Sequence, residues 1–371
     1  MFRFGTGNVS NPNTYTGGTF IDNTATNNLS NVGVLIINST ANTTDANSVF
    51  GPGGIQWNGG EIRYSGGATF DISGSNIVIG NFSSNATTPP LTLNLSLGGS
   101  GINLATPITG GNNSLTIADA GKTVSIAANE TYTGTTIVPT TGSNTGVNVT
   151  TLSLGNGTLV GTVAGDIILG ANNTTLKFNE PNTGTPIIIN SNISNIAIPT
   201  NGTTPFIVQS GAGDVDLKGT STFSSQANIT GAGNLIIDNP QALGLATFNA
   251  TNANAGRLQF GAGGLGAVSL GALTGSANIA LTDLTGAAVA LTVGDNNSNF
   301  AYTGILSGLG SLTKIGSGTM TLSGVQTFAG STSITGGTLV LGNNTAIGSV
   351  VSSNILNTGA LTFAGSGSQI V

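Results

Sequence analysis

A five-residue phrase, Gly-x-apolar-x-apolar, recurs along the C-terminal third of this chain at intervals of about 20 residues. Two copies, GTMTL and GTLVL, begin and end the segment 318–341, with no charged residue between them. The central residues of five copies, one of which has Ala in place of Gly, are Leu258, Ile279, Met320, Leu339 and Leu361. Leu258 and Ile279 are 21 residues apart, Met320 and Leu339 are 19 apart, and Leu339 and Leu361 are 22 apart.

This period constrains the fold, because a unit of about 20 residues is too short to bury a core of its own. It is long enough for one coil of a β-solenoid, in which two or three short strands are joined by turns. Successive coils lay their strands parallel, about 4.8 Å apart, so that equivalent apolar residues stack into an interior column. The Gly before each strand suits the backbone of a tight corner. The phrase therefore predicts an all-β solenoid with coils of about 20 residues.

Composition supports this prediction and argues against the other fold classes. Only 5% of the residues are charged, whereas Gly alone occurs 59 times and Thr, Asn and Ser are abundant. These residues weaken helices, whose surfaces normally use Glu, Lys and Arg. The apolar residues alternate, as in LTLNLSL at 91–97, and make up 38% of the chain, which is more than a disordered chain carries. No apolar run approaches the roughly 18 residues of a membrane-spanning helix.

The aromatic residues follow a second phrase. All four tyrosines precede a hydroxyl residue and then Gly, and they are Tyr15, Tyr64, Tyr132 and Tyr302. Phe328 and Phe363, each followed by Ala-Gly, resemble them. We interpret the ring as a cap on the coil interior beside a tight turn. An exposed aromatic ladder that stacks against a ligand is the alternative.

The segment 316–343 resembles the autotransporter-associated β-strand repeat. That repeat consists of a Gly-x-Leu-x-Leu-x-Gly strand, an aromatic-[Ser/Thr]-Gly turn and a Thr-x-[Ile/Val]-x-x-Gly-x-Leu strand. The corresponding residues are 318–324, 328–330 and 332–339, and Ala329 departs from the usual Ser or Thr. Fainter copies stand at 11–22 and 129–138. In its Asn- and Ile-rich style the chain is also similar to the large surface-antigen autotransporters of obligate intracellular bacteria.

The resemblance implies a right-handed parallel β-helix that is exported across the outer membrane and displayed at the bacterial cell surface or secreted. It also implies a C-terminal β-barrel translocator outside this sequence. The N-terminus, MFRFGTGNVS, does not read as a secretory signal, and we interpret residues 1–371 as a single β-helix piece of a longer passenger. We expect the clearest repeats at 250–371. The Pro-rich middle, 80–210, should be less regular, with its prolines at turns.

Few residues in this chain could perform chemistry. There is no Cys and no His, so the sequence cannot supply a Ser-His-Asp triad, a thiol nucleophile or a good zinc site. The tightest acidic group is Asp214 and Asp216, beside Lys218, and alternation places it on one strand face. We interpret it as a solvated strand edge; a weak cation site or a lyase-like cluster is the alternative. Glycoside hydrolysis would need facing carboxylates, and a solenoid could stack Glu61, Glu130 and Glu180.

Three functions follow from this reading. A non-enzymatic adhesin or coat-forming rod, which contacts a host-cell receptor or neighbouring rods, fits the repeat and the missing catalytic residue types. A carbohydrate-active β-helix, such as a polysaccharide lyase or tailspike-like depolymerase, is the alternative. An ice-binding solenoid would need Thr-x-Thr on every coil, and the pairs do not recur so regularly. We predict no cofactor and no metal. We also predict no nucleic-acid partner, because the seven basic residues form no patch.

Overall fold

The structure of the chain is a computed structural model. It describes residues 2–4, 19–22, 34–37, 55–58, 61–64, 70–71, 77–79, 92–97, 101–104, 107–109, 114–117, 123–138, 149–170, 174–196, 206–250, 257–342, 349–350 and 354–364. Every regular element in these ranges is a β-strand, which confirms the predicted all-β class. The described ranges contain no helix that is long and apolar enough to cross a membrane.

Two compact units make up the chain. Unit 1 comprises 1–181 and 195–205, and unit 2 comprises 182–194 and 206–371. The described strands of unit 1 are β1 (Phe2–Phe4), β2 (Thr19–Asp22), β3 (Val34–Ile37), β4 (Ile55–Asn58), β5 (Glu61–Tyr64), β6 (Phe70–Asp71), β7 (Ile77–Ile79), β8 (Thr92–Leu97), β9 (Gly101–Leu104), β10 (Ile108–Thr109), β11 (Ser114–Ile117), β12 (Thr123–Ile126), β13 (Thr136–Val138), β14 (Thr150–Leu154), β15 (Ile167–Leu169) and β16 (Thr174–Phe178).

Unit 1 winds through three parallel sheets. Along the chain, β9, β10, β11 and β12 visit the three sheets in turn and return to the first, which is one coil. The sheets have the strand orders β6-β9-β12-β14-β16, β2-β4-β7-β10 and β1-β3-β5-β8-β11-β13-β15. Residues of successive coils pair in register, as Val124 does with Ile102 below and Leu152 above.

The strands of unit 2 are equally short. They are β17 (Ile187–Ile189), β18 (Ile193–Asn195, whose last residue falls in unit 1), β19 (Phe206–Gln209), β20 (Val215–Leu217), β21 (Gln226–Ile229), β22 (Leu235–Ile237), β23 (Thr247–Ala250), β24 (Leu258–Phe260), β25 (Ala267–Leu270), β26 (Ala272–Gly275), β27 (Ile279–Ala280), β28 (Ala290–Val293), β29 (Phe300–Tyr302), β30 (Leu306–Ser307), β31 (Ser311–Lys314), β32 (Thr319–Leu322), β33 (Val325–Gln326), β34 (Thr332–Ile334), β35 (Thr338–Leu341), β36 (Ser349–Val350), β37 (Ile355–Asn357) and β38 (Ala360–Phe363).

These strands stack on three faces. Face 1 has the order β19-β21-β23-β26-β29-β32-β35-β38, and face 3 has the order β25-β28-β31-β34-β37. Face 2 consists of β17-β20-β22-β24, followed by the pairs β27-β30 and β33-β36. All pairings between the described strands of this unit are parallel. Both units are thus parallel β-solenoids, as predicted; the right-handed sense of the winding stays a prediction.

Alternation along each strand builds the solenoid interior. Strands such as β31, β32 and β35 show a half-buried, buried, half-buried, buried pattern, because successive side chains point to opposite faces of a sheet. The inward positions stack along the coils, as Leu291 does on Leu312. Leu291 and Leu312 are almost fully buried. Burial of such columns is the main driving force that holds one coil on the next.

The coils are unequal in length. Residues that are hydrogen-bonded across adjacent coils are 20 apart for Asn299 and Thr319 but 27 apart for Asn278 and Ile305. In unit 1, Asn129 and Thr162 bond across two adjacent coils although they are 33 residues apart. The period of about 20 therefore describes the tightest coils, and the longer ones carry extra residues at their corners. The described prolines, Pro107, Pro181, Pro186 and Pro240, all lie outside the strands.

The outer surface of face 3 is uncharged. Ser269, Thr292, Thr313 and Ser333 form an outward column, each in register with the next, and the exposed Leu356 continues the column on the last described strand of this face. Between 258 and 342 the only charged residues are Asp283, Asp295 and Lys314, and the side chain of Lys314 is buried. Hydroxyl groups rather than charges therefore make this surface polar.

Candidate functional site

The acidic group predicted on face 2 lies where the alternation placed it. Val215 and Leu217 of β20 are buried, and Asp214, Asp216 and Lys218 point outward between and beside them. The next coil adds Asp238, which directly follows β22 and stands 20 residues from Lys218. Sequence reasoning missed Asp238, because only the pairing of β20 with β22 brings it beside Lys218.

Lys218 holds this group together. Its Nζ lies 2.6 Å from Oδ2 of Asp238 and 3.4 Å from Oδ2 of Asp216. The hydrogen bond to Asp238 is the main cause that raises the pKa of the Lys218 amine. Burial raises the pKa of the Asp216 carboxyl, while the charge of Lys218 opposes that rise. Two carboxylates thus share one ammonium group.

Asp214 belongs to a different arrangement. Its carboxylate accepts hydrogen bonds from the backbone N–H of Asn234 at 2.8 Å and from the side-chain amide of Asn234 at 3.1 Å. Asp214 and Asp216 therefore share a strand face but not a site. Within the described ranges no group of three or more Asp or Glu residues is placed to bind a metal ion.

Glu130 and Glu180 are buried in unit 1. The Glu130 carboxylate accepts the backbone N–H of Ile108, and its Oε1 is buried without a hydrogen-bond partner. The Glu180 carboxylate accepts the backbone N–H of Gly161, with 3.1 Å between Oε2 and the nitrogen. Burial raises the pKa of Glu130 to about 8 and that of Glu180 to about 7. Each carboxylate accepts a hydrogen bond from the preceding coil, and both side chains are buried. The side chain of Glu61 lies outside the described part of the structure.

Of the described aromatic residues of the second phrase, three are buried, whereas the side chain of Phe363 is 46% exposed. Tyr132, Tyr302 and Phe328 are fully shielded from solvent. The Tyr302 hydroxyl donates to the carbonyl of Ala277 at 2.6 Å, and the Tyr132 hydroxyl lies 2.7 Å from Oγ1 of Thr136. A buried ring cannot stack against an external ligand, so Tyr132, Tyr302 and Phe328 form no exposed ladder, and Phe363 is the one exposed ring of the phrase among the described residues. Tyr15 lies outside the described residues, and only the backbone of Tyr64 is described.

The central residues of the five Gly-x-apolar-x-apolar copies lie on two faces of the solenoid. The repeat alone suggests that they stack in one interior column. Met320 pairs with Leu339 and Leu339 with Leu361 on face 1. Leu258 pairs with Leu235, and Ile279 pairs with Leu306, on face 2. Because the coils differ in length, equal spacing along the sequence does not keep residues on one face. Four of the five are buried, and Leu361 is partly exposed.

Lys314 is a residue that sequence reasoning missed. It ends β31 on the inward side, and its Nζ donates to the carbonyls of Ile315, Gly316 and Gly336 at 2.6, 3.2 and 3.3 Å. Two of these carbonyls belong to its own coil corner and one to the next coil. Burial lowers the pKa of the Lys314 amine. A signal was available, because Lys314 stands two residues after the buried Leu312 and so shares its face.

A recess in the surface of unit 2 lacks the residues of a catalytic site. It measures about 250 Å³ with its open mouth and is lined mainly by apolar side chains, including Phe248, Leu258 and Ile279, with Arg257 and Asn278 among the polar ones. It contains no carboxylate and none of the aromatic phrase residues. The described surface thus presents structural ion pairs and no recognisable catalytic constellation.

Comparison with known families locates the repeat. Residues 312–341 match the passenger-associated-transport-repeat model. The match begins in β31 and ends with β35, so it contains one full coil of unit 2, from face 3 back to face 3, and the following face 1 strand. It includes Lys314 and Phe328. No curated protein and no solved structure is detectably similar to the chain. The repeat and the parallel β-solenoid together fit an autotransporter passenger domain.

Proposed function

We propose that this chain is a non-enzymatic passenger segment that is exported to the bacterial cell surface or secreted, and that it acts as an adhesin or a coat-forming rod. The observation that carries the proposal is the passenger-associated transport repeat, which coincides with one solenoid coil of unit 2 and the strand that follows it. We further propose that residues 1–371 form one continuous β-helix and that a C-terminal β-barrel translocator completes the full-length protein.

The partners we propose are a host-cell surface receptor or neighbouring copies of the rod. The uncharged outer surface of face 3, which has five stacked strands, supports a contact that is spread over several coils rather than concentrated in a pocket. Nothing in the net charge of −6 or in the seven basic residues favours a nucleic-acid partner.

Adhesion assays test this proposal. In bacteria that express the full-length protein, an in-frame deletion of residues 206–342 should abolish attachment to host cells or lateral coat formation. Surface display of the remaining protein, followed by accessibility to added protease, is the control for export. Unchanged attachment and coat formation with intact display would contradict the proposal.

The alternative is a polysaccharide-degrading activity, with Asp216 as its candidate acid. The ion pairs of Lys218 with both neighbouring carboxylates argue against it, because they hold the two acids in a shared salt bridge. A screen of acidic and neutral polysaccharides, with Asp214→Asn and Asp216→Asn as controls, decides between the two. Turnover that both substitutions abolish would favour the enzyme over the adhesin.

A further inference from the structure

Asparagine and aspartate side chains in unit 2 link several coils to the coil that follows. In each case a side-chain oxygen accepts the backbone N–H of a residue one coil later. The separations of the bonded residues range from 20 to 28, which matches the unequal lengths of the coils. We call the six acceptors the linking residues: Asn192, Asp214, Asn234, Asn278, Asn297 and Asn299.

Most of the bonded amides lie where a strand begins. The N–H of Arg257, immediately before β24, donates to Asn234 at 2.9 Å. The N–H of Ile305, immediately before β30, donates to Asn278 at 2.9 Å. The N–H of Thr319, the first residue of β32, donates to Asn299 at 2.8 Å. Four of the six linking residues thus bond an amide at, or immediately before, the first residue of a strand in the next coil, and the amides of Thr220 and Ser317 lie in turns.

Buried side chains make similar bonds in the opposite direction. Oε1 of Gln326 accepts the N–H of Leu306, 20 residues earlier, at 2.7 Å. Oγ of Ser221 accepts the N–H of Ile193, 28 residues earlier, at 3.2 Å. The linking residues therefore differ from the buried set in both direction and exposure; Asn278, Asn297 and Asn299, for example, are exposed or nearly so.

The linking residues fix the position of one coil over the next, which the apolar columns alone do not. Leu, Ile and Val columns tolerate small shifts of one coil over the next, because their side chains are alike in shape and lack direction. A carbonyl or carboxylate oxygen, in contrast, bonds one particular amide. In a solenoid each coil contacts only its neighbours, so stability is the sum of coil and interface terms.

We infer that the linking residues couple neighbouring coils from the solenoid surface, and that four of them hold the start of a strand in the next coil closed. This role is independent of the proposed function, since it concerns how unit 2 stays folded. The same role explains why one linking residue, Asp214, is an aspartate, because a carboxylate oxygen accepts the backbone N–H as an amide oxygen does.

Hydrogen exchange followed by mass spectrometry on the full chain tests the inference. Asn299→Leu removes the acceptor for the Thr319 amide from an exposed position, where it should not impair folding. We expect exchange in β32 to accelerate about threefold to tenfold, the effect of losing one net hydrogen bond. Asn278→Leu should produce the same effect at β30 and leave β32 unchanged.

Two matched variants make the test specific. Asn299→Asp retains the acceptor and should exchange within about twofold of the wild type. Asn249→Leu changes an outward Asn on face 1 that is not a linking residue, and it should leave β32 unaffected. Equal acceleration in Asn299→Leu and Asn299→Asp, or an equal rise in exchange across all strands of unit 2, would overturn the inference.

Discussion

At the scale of single residues, the most unusual feature is an amine that is buried without a carboxylate. Lys314 donates to three backbone carbonyls on two coils and so links the corner after β31 to the next coil. A buried ammonium group is costly unless its hydrogen bonds are made, and here carbonyl dipoles make them.

Lys314→Met should therefore destabilise unit 2. The substitution keeps an unbranched side chain of similar length but leaves the three carbonyls without their donor. We expect a loss of about 1–3 kcal/mol in the free energy of unfolding, measured by urea denaturation. Lys177→Met, at a half-buried outward position of β16, is the control and should change little. Equal stability of the two variants would show that the carbonyl contacts contribute nothing.

Glu130 and Glu180 make the stability of unit 1 depend on pH. Their pKa values are raised in the folded state, to about 8 and about 7, from a value of 4.5. The folded state therefore binds these protons more tightly than the unfolded state does. The stabilisation is fully present below pH 4.5 and is lost as the pH rises through about 7 and 8.

Unit 1 should consequently unfold more easily at pH 8 than at pH 5. Trp57 in β4, the one Trp of the chain, provides a fluorescence probe that belongs to unit 1. The double variant Glu130→Gln, Glu180→Gln cannot ionise and should flatten the dependence, which we expect to reach about 2–3 kcal/mol per pH unit near pH 6, where both protons differ between the two states. A variant with the same slope as the wild type would refute this assignment.

At the scale of elements, the aromatic-x-Gly phrase is explained by a close approach. A Cβ atom at Gly304 would lie 2.6 Å from the Tyr302 hydroxyl oxygen and 2.5 Å from the carbonyl oxygen of Ala277. The ring, the turn and the preceding coil occupy the same small space, so the residue two after the ring must lack a side chain.

Gly304→Ala should displace the Tyr302 ring and break its bond to Ala277. We expect a loss of about 1–3 kcal/mol, typical of overpacking, measured by thermal unfolding. Ala301→Ser, on the exposed outward side of β29, is the control and should leave the melting temperature nearly unchanged. Tyr302→Phe alone should cost about 1 kcal/mol, because it removes only the hydroxyl.

Alternation and turn residues were sufficient to predict the strands and their parallel stacking. GTMTL and GTLVL became β32 and β35, paired in register. The assignment of each strand to a face was not predictable in the same way, since it depends on corner lengths that local patterns do not encode. The position of Asp238 beside Lys218, and the linking residues, are likewise consequences of pairing between distant segments.

At the scale of the whole molecule, the register offers a test of modularity. Thr319 pairs directly with Thr338, so removing residues 319–337 joins Gly318 to the residue that occupies the same position one coil later. We expect this deletion to fold, with unchanged strand content by circular dichroism, because each coil contacts only its neighbours.

A deletion of half that length, residues 319–328, is the matched control. It would join a face 1 position to a corner and expose the apolar column, so we expect rapid proteolysis. If both deletions fold equally well, or both fail, the coils are not the structural units that the pairing indicates.

The outer surface of face 3 has a consequence for kinetics. Its hydroxyl column carries no charge, so a partner that approaches it would experience no long-range electrostatic steering. Encounters across it should therefore be equally frequent in dilute buffer and in concentrated brine, whereas charged contact surfaces lose association rate as counterions screen them.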